Sequence, residues 1–401
     1  ITLGKNRQDR TTDGMNVLPD LMQAKFRRSP RAEPTQVEAM RNFQFLNWLY
    51  PFVGLALLAE YIPNVPETWR FLFAVLGFIP LARDMVDATE TLSHQTGATL
   101  GAILSATFGN APEMIISLVA LQQGLFDVVR ASIVGVIIGN LLFVVGLSFL
   151  LGGLKKPEQK YNRQGAMMQR SVLMIAAISM TMPSLFDNFI SVETVKGELA
   201  FNAGVAIVLL VTYGLSLLFM LKTHPHHFSP EDWEHAGPSA QNINPLKSVA
   251  KLAIASFVLA LLSEVIMSSV EQTAATLGIS RAFIGMIILA LIGSAPESLA
   301  AITMAQRDKL DMTMGIAVGS SIQIALFVAP MIMLSSYFIG PQPFDLIMSN
   351  AAVTLLLLTV LIFSMMVPDG QSNWFKGAQL LSVYLLIALF CFYFPNGQLI
   401  R

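Results

Sequence analysis

The sequence predicts an all-α polytopic membrane protein of about eleven transmembrane helices, arranged as one extra helix and two inverted five-helix repeats. Three observations lead to this fold class: the composition, a series of long apolar segments, and a motif that occurs twice. Of the 401 residues, 54% are hydrophobic and only 13% are charged. Soluble domains carry about 25% charged residues. The composition is therefore that of a chain that crosses a membrane many times.

Apolar segments of spanning length recur along the chain. A helix needs about 20 mostly apolar residues to cross a bilayer. Spans are predicted at 43–62, 69–90, 98–122, 128–152, 171–186, 200–222, 249–271, 281–306, 311–338, 345–367 and 377–395. The span at 171–186 is the shortest of these.

Loop charges predict the orientation of the helices. Eight basic residues precede the first span, and five more lie in the loop 153–170. Loops on the opposite side are acidic or uncharged, as at 187–199 and 339–344. Because cytoplasmic loops carry an excess of Lys and Arg, we expect a cytoplasmic N-terminus and a C-terminus on the far side.

A repeated motif reveals the internal symmetry. Gly-Asn-Ala-Pro-Glu at 109–113 returns as Gly-Ser-Ala-Pro-Glu at 293–297. The first copy lies on the third span, which runs outward, and the second lies on the eighth, which runs inward. At a constant offset of 184, further identities align: Gly101 with Gly285, Asp127 with Asp311, and Gly135 with Gly319. Inverted repeats of this kind are typical of transporters, whose binding site lies at the midplane.

These patterns divide the chain into five parts. They are a polar cytoplasmic N-terminal tail (1–42), the first transmembrane helix and its loop (43–68), the first five-helix repeat (69–222), a cytoplasmic linker (223–248) and the second five-helix repeat (249–401). The linker is polar and rich in proline, which is typical of a connecting segment.

Each motif places a glutamate, Glu113 or Glu297, deep in an apolar span. A carboxylate in hydrocarbon is costly unless it is paired, hydrated or bound to a cation. Pro112 and Pro296 each remove a backbone donor, so we expect the helices to kink or unwind and free carbonyl oxygens. The alternative is a proline kink whose glutamate hydrogen-bonds a neighbouring helix.

Other oxygen-bearing side chains lie near the two glutamates in the sequence. Asn110 and Ser294 precede them by one turn, and further polar groups follow glycine pairs on the fourth and ninth spans: Asn140, Ser320, Ser321 and Gln323. The pairs Gly135/Gly139 and Gly315/Gly319 are predicted to let helices approach closely. Carboxylate, amide and hydroxyl oxygens form a hard ligand set that suits Ca²⁺. The alternative for these residues is interhelical hydrogen bonding without a ligand.

Charged side chains on the second and seventh spans have two interpretations. They form an access funnel or proton-transfer steps, or they are ordinary interfacial charges: Asp84, Asp87, Glu90, Glu264 and Glu271. Four of the five histidines cluster in the linker: His224, His226, His227 and His235; the fifth is His94. The cluster indicates a pH or metal sensor or, as we favour, a solvated loop.

Several function classes are disfavoured. The net charge of −1 gives no reason to expect a nucleic-acid partner. The lone Cys391 allows no internal disulfide and no Cys-based metal site. The chain has no His-Glu-x-x-His motif and no recognisable nucleophile–base pair, so we expect neither an intramembrane hydrolase nor a cofactor.

Three segments of the chain resemble the calcium/proton exchanger family of the cation/calcium antiporter superfamily. They are the runs AILSATFGNAPEMIISLVAL at 102–121 and DMTMGIAVGSSIQIALFVAP at 311–330, and the second motif at 293–297. The resemblance covers nearly all of the chain from about residue 43. It implies an exchanger with one extra helix before two inverted repeats, joined by an acidic cytoplasmic segment that is reduced here to Glu231, Asp232 and Glu234. It further implies that Glu113 and Glu297 bind Ca²⁺ and exchange it for protons, and that Asn110 and Gln323 match family positions.

The resulting prediction is a secondary antiporter that exports Ca²⁺ from the cytosol in exchange for H⁺ by alternating access. It would need the lipid bilayer and no cofactor. We expect it in a vacuolar or other acidic-organelle membrane, or in a bacterial inner membrane. A sodium-coupled exchanger is the main alternative, because Ser-Ala-Pro-Glu is similar to the motif of the sister sodium/calcium exchangers. A cation channel is less favoured, since channels tend to gain symmetry from subunits.

Overall fold

The computed structural model describes residues 44–96, 98–189, 195–223 and 245–393. After a 3₁₀ segment at Gln44–Leu49, the helices before the linker are α1 (Tyr50–Tyr61), α2 (Glu67–Gln95), α3 (Ala98–Phe108), α4 (Ala111–Gln122), α5 (Phe126–Ile138), α6 (Val145–Lys155), α7 (Arg163–Phe189) and α8 (Val195–Leu218). π-Helical segments join α5 to α6 at Gly139–Val144 and extend α8 at Phe219–Thr223.

The helices after the linker are α9 (Pro245–Leu277), α10 (Arg281–Phe283), α11 (Ala290–Gly293), α12 (Ala295–Gln306), α13 (Leu310–Gln323), α14 (Ala329–Ser335), α15 (Asn350–Met366) and α16 (Trp374–Tyr393). π-Helical segments join α10 to α11 at Ile284–Leu289, and α13 to α14 at Ile324–Val328. Helices therefore lie over all of the predicted apolar spans.

Length and hydropathy identify the helices that can cross a membrane. Within the described ranges, five helices are long and apolar enough, and six if the bent pair Arg281–Gly293 and Ala295–Gln306 forms one span. The all-α membrane architecture is therefore confirmed, whereas the number eleven and the repeat assignment stay predictions. Aromatic side chains lie exposed near helix ends, as expected at a membrane interface: Trp48, Tyr61, Trp69, Phe338, Trp374 and Tyr393.

Two helices differ from the predicted bounds because polar caps set their ends. The span predicted at 171–186 is the 27-residue helix α7. It begins after Asn162, whose Oδ1 accepts from the backbone of Gln164 and Gly165. Hydropathy finds only the part of such a helix that is apolar. The span predicted from 345 begins at Asn350 instead, because Ser349 accepts from the backbone N–H of Ala352.

Both motif-bearing segments are broken helices. The chain leaves α3 at Phe108 and restarts as α4 at Ala111, and it leaves α11 at Gly293 and restarts as α12. The second break bends the chain by 60°. Pro112 and Pro296 occupy the first turn of the restarting helices, where a missing N–H breaks no helical hydrogen bond. The predicted interruptions are therefore present, and they begin three residues before Pro112 and two residues before Pro296.

The broken helices pack against a buried centre. In the two central segments, Phe126–Lys155 and Leu310–Ser335, 83% and 72% of the residues of the apolar stretch are buried. In the peripheral helices Leu199–Leu218 and Trp374–Tyr393, the corresponding shares are only 22% and 28%. The central segments carry the polar residues Asn140, Ser320 and Gln323. The fold therefore surrounds these polar groups with protein and leaves the peripheral helices to face lipid.

A short strand pairing links the two halves of the chain. β1 (Gln159–Lys160) pairs antiparallel with β2 (Gln371–Ser372). Beside this pairing, Lys156 binds Asp308 across the same rim, and its ammonium group holds the pKa of that exposed carboxyl below the ordinary value. The predicted orientation places this rim on the cytoplasmic side.

Candidate ion-binding site

The two motif glutamates meet inside the protein. Glu113 is 3% exposed and Glu297 is 9% exposed, and the two carboxylates are close enough to repel each other. Among the described residues, both carboxylate oxygens of Glu113 and Oε2 of Glu297 have no hydrogen-bond partner. Each glutamate lies in the first turn of its helix, α4 or α12, where the positive end of the helix dipole favours a negative charge.

Gly293 of the second motif makes room for the glutamate of the first. A Cβ at this position would lie 3.2 Å from Cγ of Glu113 and 3.7 Å from its carboxylate carbon. The two motifs therefore pack directly against each other, which brings the two halves of the chain together at the site.

A hydrogen-bonded group bridges the first motif to α13. Asn110 is fully buried, and its Nδ2 donates to Oε1 of Gln323. The hydroxyl of Ser320 donates to Oδ1 of Asn110 at 3.0 Å, and it also lies within hydrogen-bonding reach of the Glu297 carboxylate. The structure thus brings together Asn110, Ser320, Gln323 and one of the glutamates.

The other candidate ligands are buried but differently engaged. The hydroxyl of Ser294 donates to the carbonyl of Ala290 at 2.8 Å, so its oxygen keeps lone pairs. Asn140 is 2% exposed, and its Nδ2 has no hydrogen-bond partner among the described residues. Ser321 donates to the carbonyl of Ala317 in its own helix at 2.9 Å, which accounts for its hydroxyl without a ligand.

We expected free backbone carbonyls at the two breaks, but the carbonyls of Asn110 and Ser294 are both hydrogen-bonded. The Asn110 carbonyl accepts from the N–H of Met114 at 3.1 Å, and the Ser294 carbonyl accepts from Ser298 at 2.9 Å. Each restarting helix forms its first hydrogen bond at once, because proline is accommodated at its beginning. Side-chain oxygens are therefore the main ligand candidates at these two residues.

The glycine pairs behave differently in the two halves. A Cβ at Gly135 would lie 2.1 Å from the carbonyl oxygen of Met286, so the predicted close approach is confirmed there. Among the described residues, the nearest atom to a Cβ at Gly139 is 3.9 Å away, and no atom lies within 4 Å of a Cβ at Gly315 or Gly319. In the described part of the chain, no helix approaches the second pair closely, so the prediction is wrong there.

This difference affects a whole face of α13. Residues four apart share a helix face, and this face, called here the α13 stripe, comprises Asp311, Gly315, Gly319 and Gln323. The repeat-related face of α5 is covered. Its Asp127 pairs with Arg281 at 3.1 Å, and a Cβ at Gly285 would lie 2.9 Å from the Cβ of Ala131. The segment Ile284–Leu289, which covers α5, matches part of α3 at the offset of 184. We would therefore expect α3 to cover the α13 stripe, but α3 packs against α2.

The funnel candidates separate into two groups. Asp84, Asp87 and Glu90 follow one another at three-residue intervals on α2 and interact electrostatically. Asp84 also accepts from the Tyr50 hydroxyl at 2.5 Å and pairs with Lys251 at 3.0 Å.

The remaining two funnel candidates lie in the C-terminal half of α9. Glu264 and Glu271 are exposed, and Glu271 lies 3.8 Å from Arg281. Four histidines and the reduced acidic segment lie outside the described residues, as does the tail before residue 44, and nothing is described of the His94 side chain.

Comparison with known proteins identifies the family. The sodium/calcium exchanger protein family matches residues 67–222 and 247–393, which is more than half of the chain. The chain belongs to this family. It is 37% identical over 359 residues to a Ca²⁺/H⁺ antiporter of Aphanothece halophytica, covering 86% of this chain and 95% of the relative. It is 35% identical over 351 residues to vacuolar cation/proton exchanger 2 of Oryza sativa subsp. japonica, covering 86% and 80%.

A solved structure supports the same conclusion for this exchanger. The structure of native YfkE matches with a TM-score of 0.75 and 34% identity, covering 87% of this chain and 100% of that chain. The expected membership of the calcium/proton exchanger family is therefore confirmed, and the family is one of ion-transporting antiporters in membranes.

Proposed function

We propose that this exchanger exports Ca²⁺ from the cytosol in exchange for H⁺ at a midplane site formed by Glu113 and Glu297. The observation that carries the proposal is the pair of buried carboxylates, three of whose oxygens have no hydrogen-bond partner among the described residues. Two such charges cannot stay uncompensated in a buried environment. A bound divalent cation neutralises both at once, and protonation of both does the same.

Exchange follows from this alternative. Because the same oxygens hold either one Ca²⁺ or protons, loading one ion requires release of the other. Ca²⁺ takes 6–8 oxygen ligands, so the two carboxylates need neutral partners. We assign this role to Asn110, Ser294, Ser320, Gln323 and Asn140. The network of Asn110, Ser320 and Gln323 supports the assignment because its Ser320 hydroxyl lies within hydrogen-bonding reach of the Glu297 carboxylate.

Two inverted five-helix repeats, at 69–222 and 249–401, would supply alternating access. The two family matches on either side of the linker support this division. In the proposed orientation, the α13 stripe opens toward the cytoplasm, because its Asp311 end lies on the same rim as the strand pairing. Asp84, Asp87 and Glu90 would form an access funnel on this side, and Glu264 and Glu271 would serve the far side.

The proposed location is a vacuolar or other acidic-organelle membrane, or a bacterial inner membrane, with the N-terminus in the cytoplasm. The names of the relatives, a Ca²⁺/H⁺ antiporter and a vacuolar exchanger, support both settings. An outward H⁺-coupled export of Ca²⁺ would suit either membrane, since both keep protons in excess on the far side.

Reconstituted flux tests the coupling ion. In proteoliposomes, a pH gradient imposed without Na⁺ is expected to drive ⁴⁵Ca²⁺ uptake, and a Na⁺ gradient at clamped pH is expected to drive none. Uptake driven by Na⁺ alone would establish the sodium-coupled alternative. Unitary currents in a planar bilayer would establish a channel instead.

Ser320→Ala tests the neutral part of the ligand shell. We expect a roughly tenfold rise in the Ca²⁺ concentration for half-maximal flux, because a hydrogen bond to a charged group contributes about 1.5–3 kcal/mol. Ser321→Ala is the matched control, since that hydroxyl is bound to its own helix. An equal effect of the two substitutions would mean that Ser320 acts only through helix packing.

Cysteine accessibility tests the direction of the opening. In Gly315→Cys, a membrane-impermeant thiol reagent is expected to react from the cytoplasmic side and to block flux. Its repeat-related control, Ala131→Cys, is expected not to react from the cytoplasmic side, because Ala131 is covered by Gly285 in this state. The native Cys391 is buried and should stay unmodified. Reaction of Gly315→Cys from the far side alone would contradict the proposed access route.

A further inference from the structure

A groove with both cationic and apolar walls lies between α2 and α9, away from the ion site. Its volume is about 370 Å³, and its lining includes Lys247 and Lys251 at one end and Leu81 and Ile254 at the other. The groove begins where α9 follows the linker. It therefore lies at the end of α9 that the predicted orientation places at the cytoplasmic surface.

The charges in the groove leave a positive excess. Lys251 pairs with Asp84 at 3.0 Å, and Asp84 also accepts from the hydroxyl of Tyr50. Lys247 is exposed and has no ion-pair or hydrogen-bond partner in the described part of the chain. Because the single carboxylate that lines the groove is already bound, Lys247 adds a charge that an external anion can neutralise.

The apolar part of the groove continues on the same face of α9. Ile254 is 64% exposed, and Phe257 beyond it is 66% exposed. A helix rises 1.5 Å per residue, so these side chains lie roughly 10 and 15 Å deeper than Lys247. A phospholipid has the same order of groups, with a phosphate at the surface and an acyl chain extending into the hydrocarbon.

We propose that this groove binds an anionic phospholipid, with its headgroup phosphate between Lys247 and Lys251 and an acyl chain along Ile254 and Phe257. The cytoplasmic leaflet carries the anionic lipids, and each nearby basic residue strengthens their attraction. The proposal is independent of the ion exchanged, because none of these residues belongs to the glutamate site.

Native mass spectrometry of the full chain tests the proposal. The protein is released from nanodiscs that contain equal amounts of phosphatidylglycerol and phosphatidylcholine, and retained lipids are counted. We expect preferential retention of phosphatidylglycerol, and a loss of about fivefold for each lysine removed in Lys247→Gln and Lys247→Gln/Lys251→Gln. The charge-matched control is Lys160→Gln/Lys222→Gln, which removes two exposed lysines elsewhere and should retain the lipid.

The other outcomes are decisive against the proposal. Equal retention by all variants would exclude the groove, and an equal loss in the control would indicate only general attraction to the surface. Displacement of the lipid by inorganic phosphate would indicate a site for free anions. If the double variant unfolds because Asp84 loses its partner, Lys247→Gln alone still decides the matter. Proton-driven Ca²⁺ flux is measured separately on Lys247→Gln, which leaves the ion pair of Lys251 with Asp84 intact, so that failure of the ion site and failure of the groove are distinguished.

Discussion

Glu113→Gln is expected to lower proton-driven Ca²⁺ flux by at least about a hundredfold. Removal of one member of a buried charged set costs about 3–5 kcal/mol, and here the lost charge is half of the negative charge available to the cation. The amide also cannot release a proton, so the remaining carboxylate cannot complete the exchange. Glu297→Gln should give the same result, because the two glutamates occupy repeat-related positions.

The measurement is ⁴⁵Ca²⁺ uptake into proteoliposomes under an imposed pH gradient. Glu60→Gln is the matched control, because Glu60 is exposed on α1 and the substitution removes the same charge from a helix of the predicted first span. Its flux should equal that of the unmodified protein. Normal flux in either Glu113→Gln or Glu297→Gln would eliminate the two-carboxylate site.

Gly135→Ala is expected to have the largest effect on stability. The new Cβ would lie 2.1 Å from the carbonyl oxygen and 2.5 Å from Cα of Met286, and backbone atoms cannot move aside as a flexible side chain can. The π-helical segment at Ile284–Leu289 would have to separate from α5. Overpacking in a filled core costs about 1–3 kcal/mol, and we expect a value at or above the upper end.

Gly319→Ala is the repeat-related control for this substitution. No atom of the described residues lies within 4 Å of a Cβ at Gly319, so the added methyl group needs no rearrangement, and alanine is the better helix former. The thermal midpoint of each variant in the same detergent, followed by intrinsic fluorescence, checks the pair. Equal midpoints for the two variants would show that α5 does not depend on the glycine contact.

The sequence predicted the helices well because long apolar segments reflect one dominant constraint. A chain in a bilayer must bury its backbone polar groups in helices, and hydropathy detects this directly. The ends of α7 and α15 were predicted poorly, because Asn162 and Ser349 form caps beyond the apolar part. The motif prolines located the breaks, since proline is well accommodated in the first turn of a restarting helix.

The structure brings together some of the residues that the sequence analysis grouped, but their role in ion binding stays a prediction. Two glutamates and their neighbouring oxygens followed from the cost of burying charge. The tight fit of Glu113 against Gly293 was missed, although a glycine in both motif copies was the available signal. Spacing also failed at Gly315 and Gly319, because small residues allow close approach without causing it. The glycine spacing is the same on α5 and α13, so it does not distinguish the covered face of α5 from the uncovered α13 stripe.

The pairing of β1 with β2 bears on how the molecule is held together. Four residues, one pair from each half, form a backbone seam at one rim, and Arg130 with Asp345 at 2.5 Å joins the halves again at the opposite rim. The covalent connection through the linker is thus only one of several attachments. We therefore expect the two halves, produced as separate chains, to associate through these contacts at both rims.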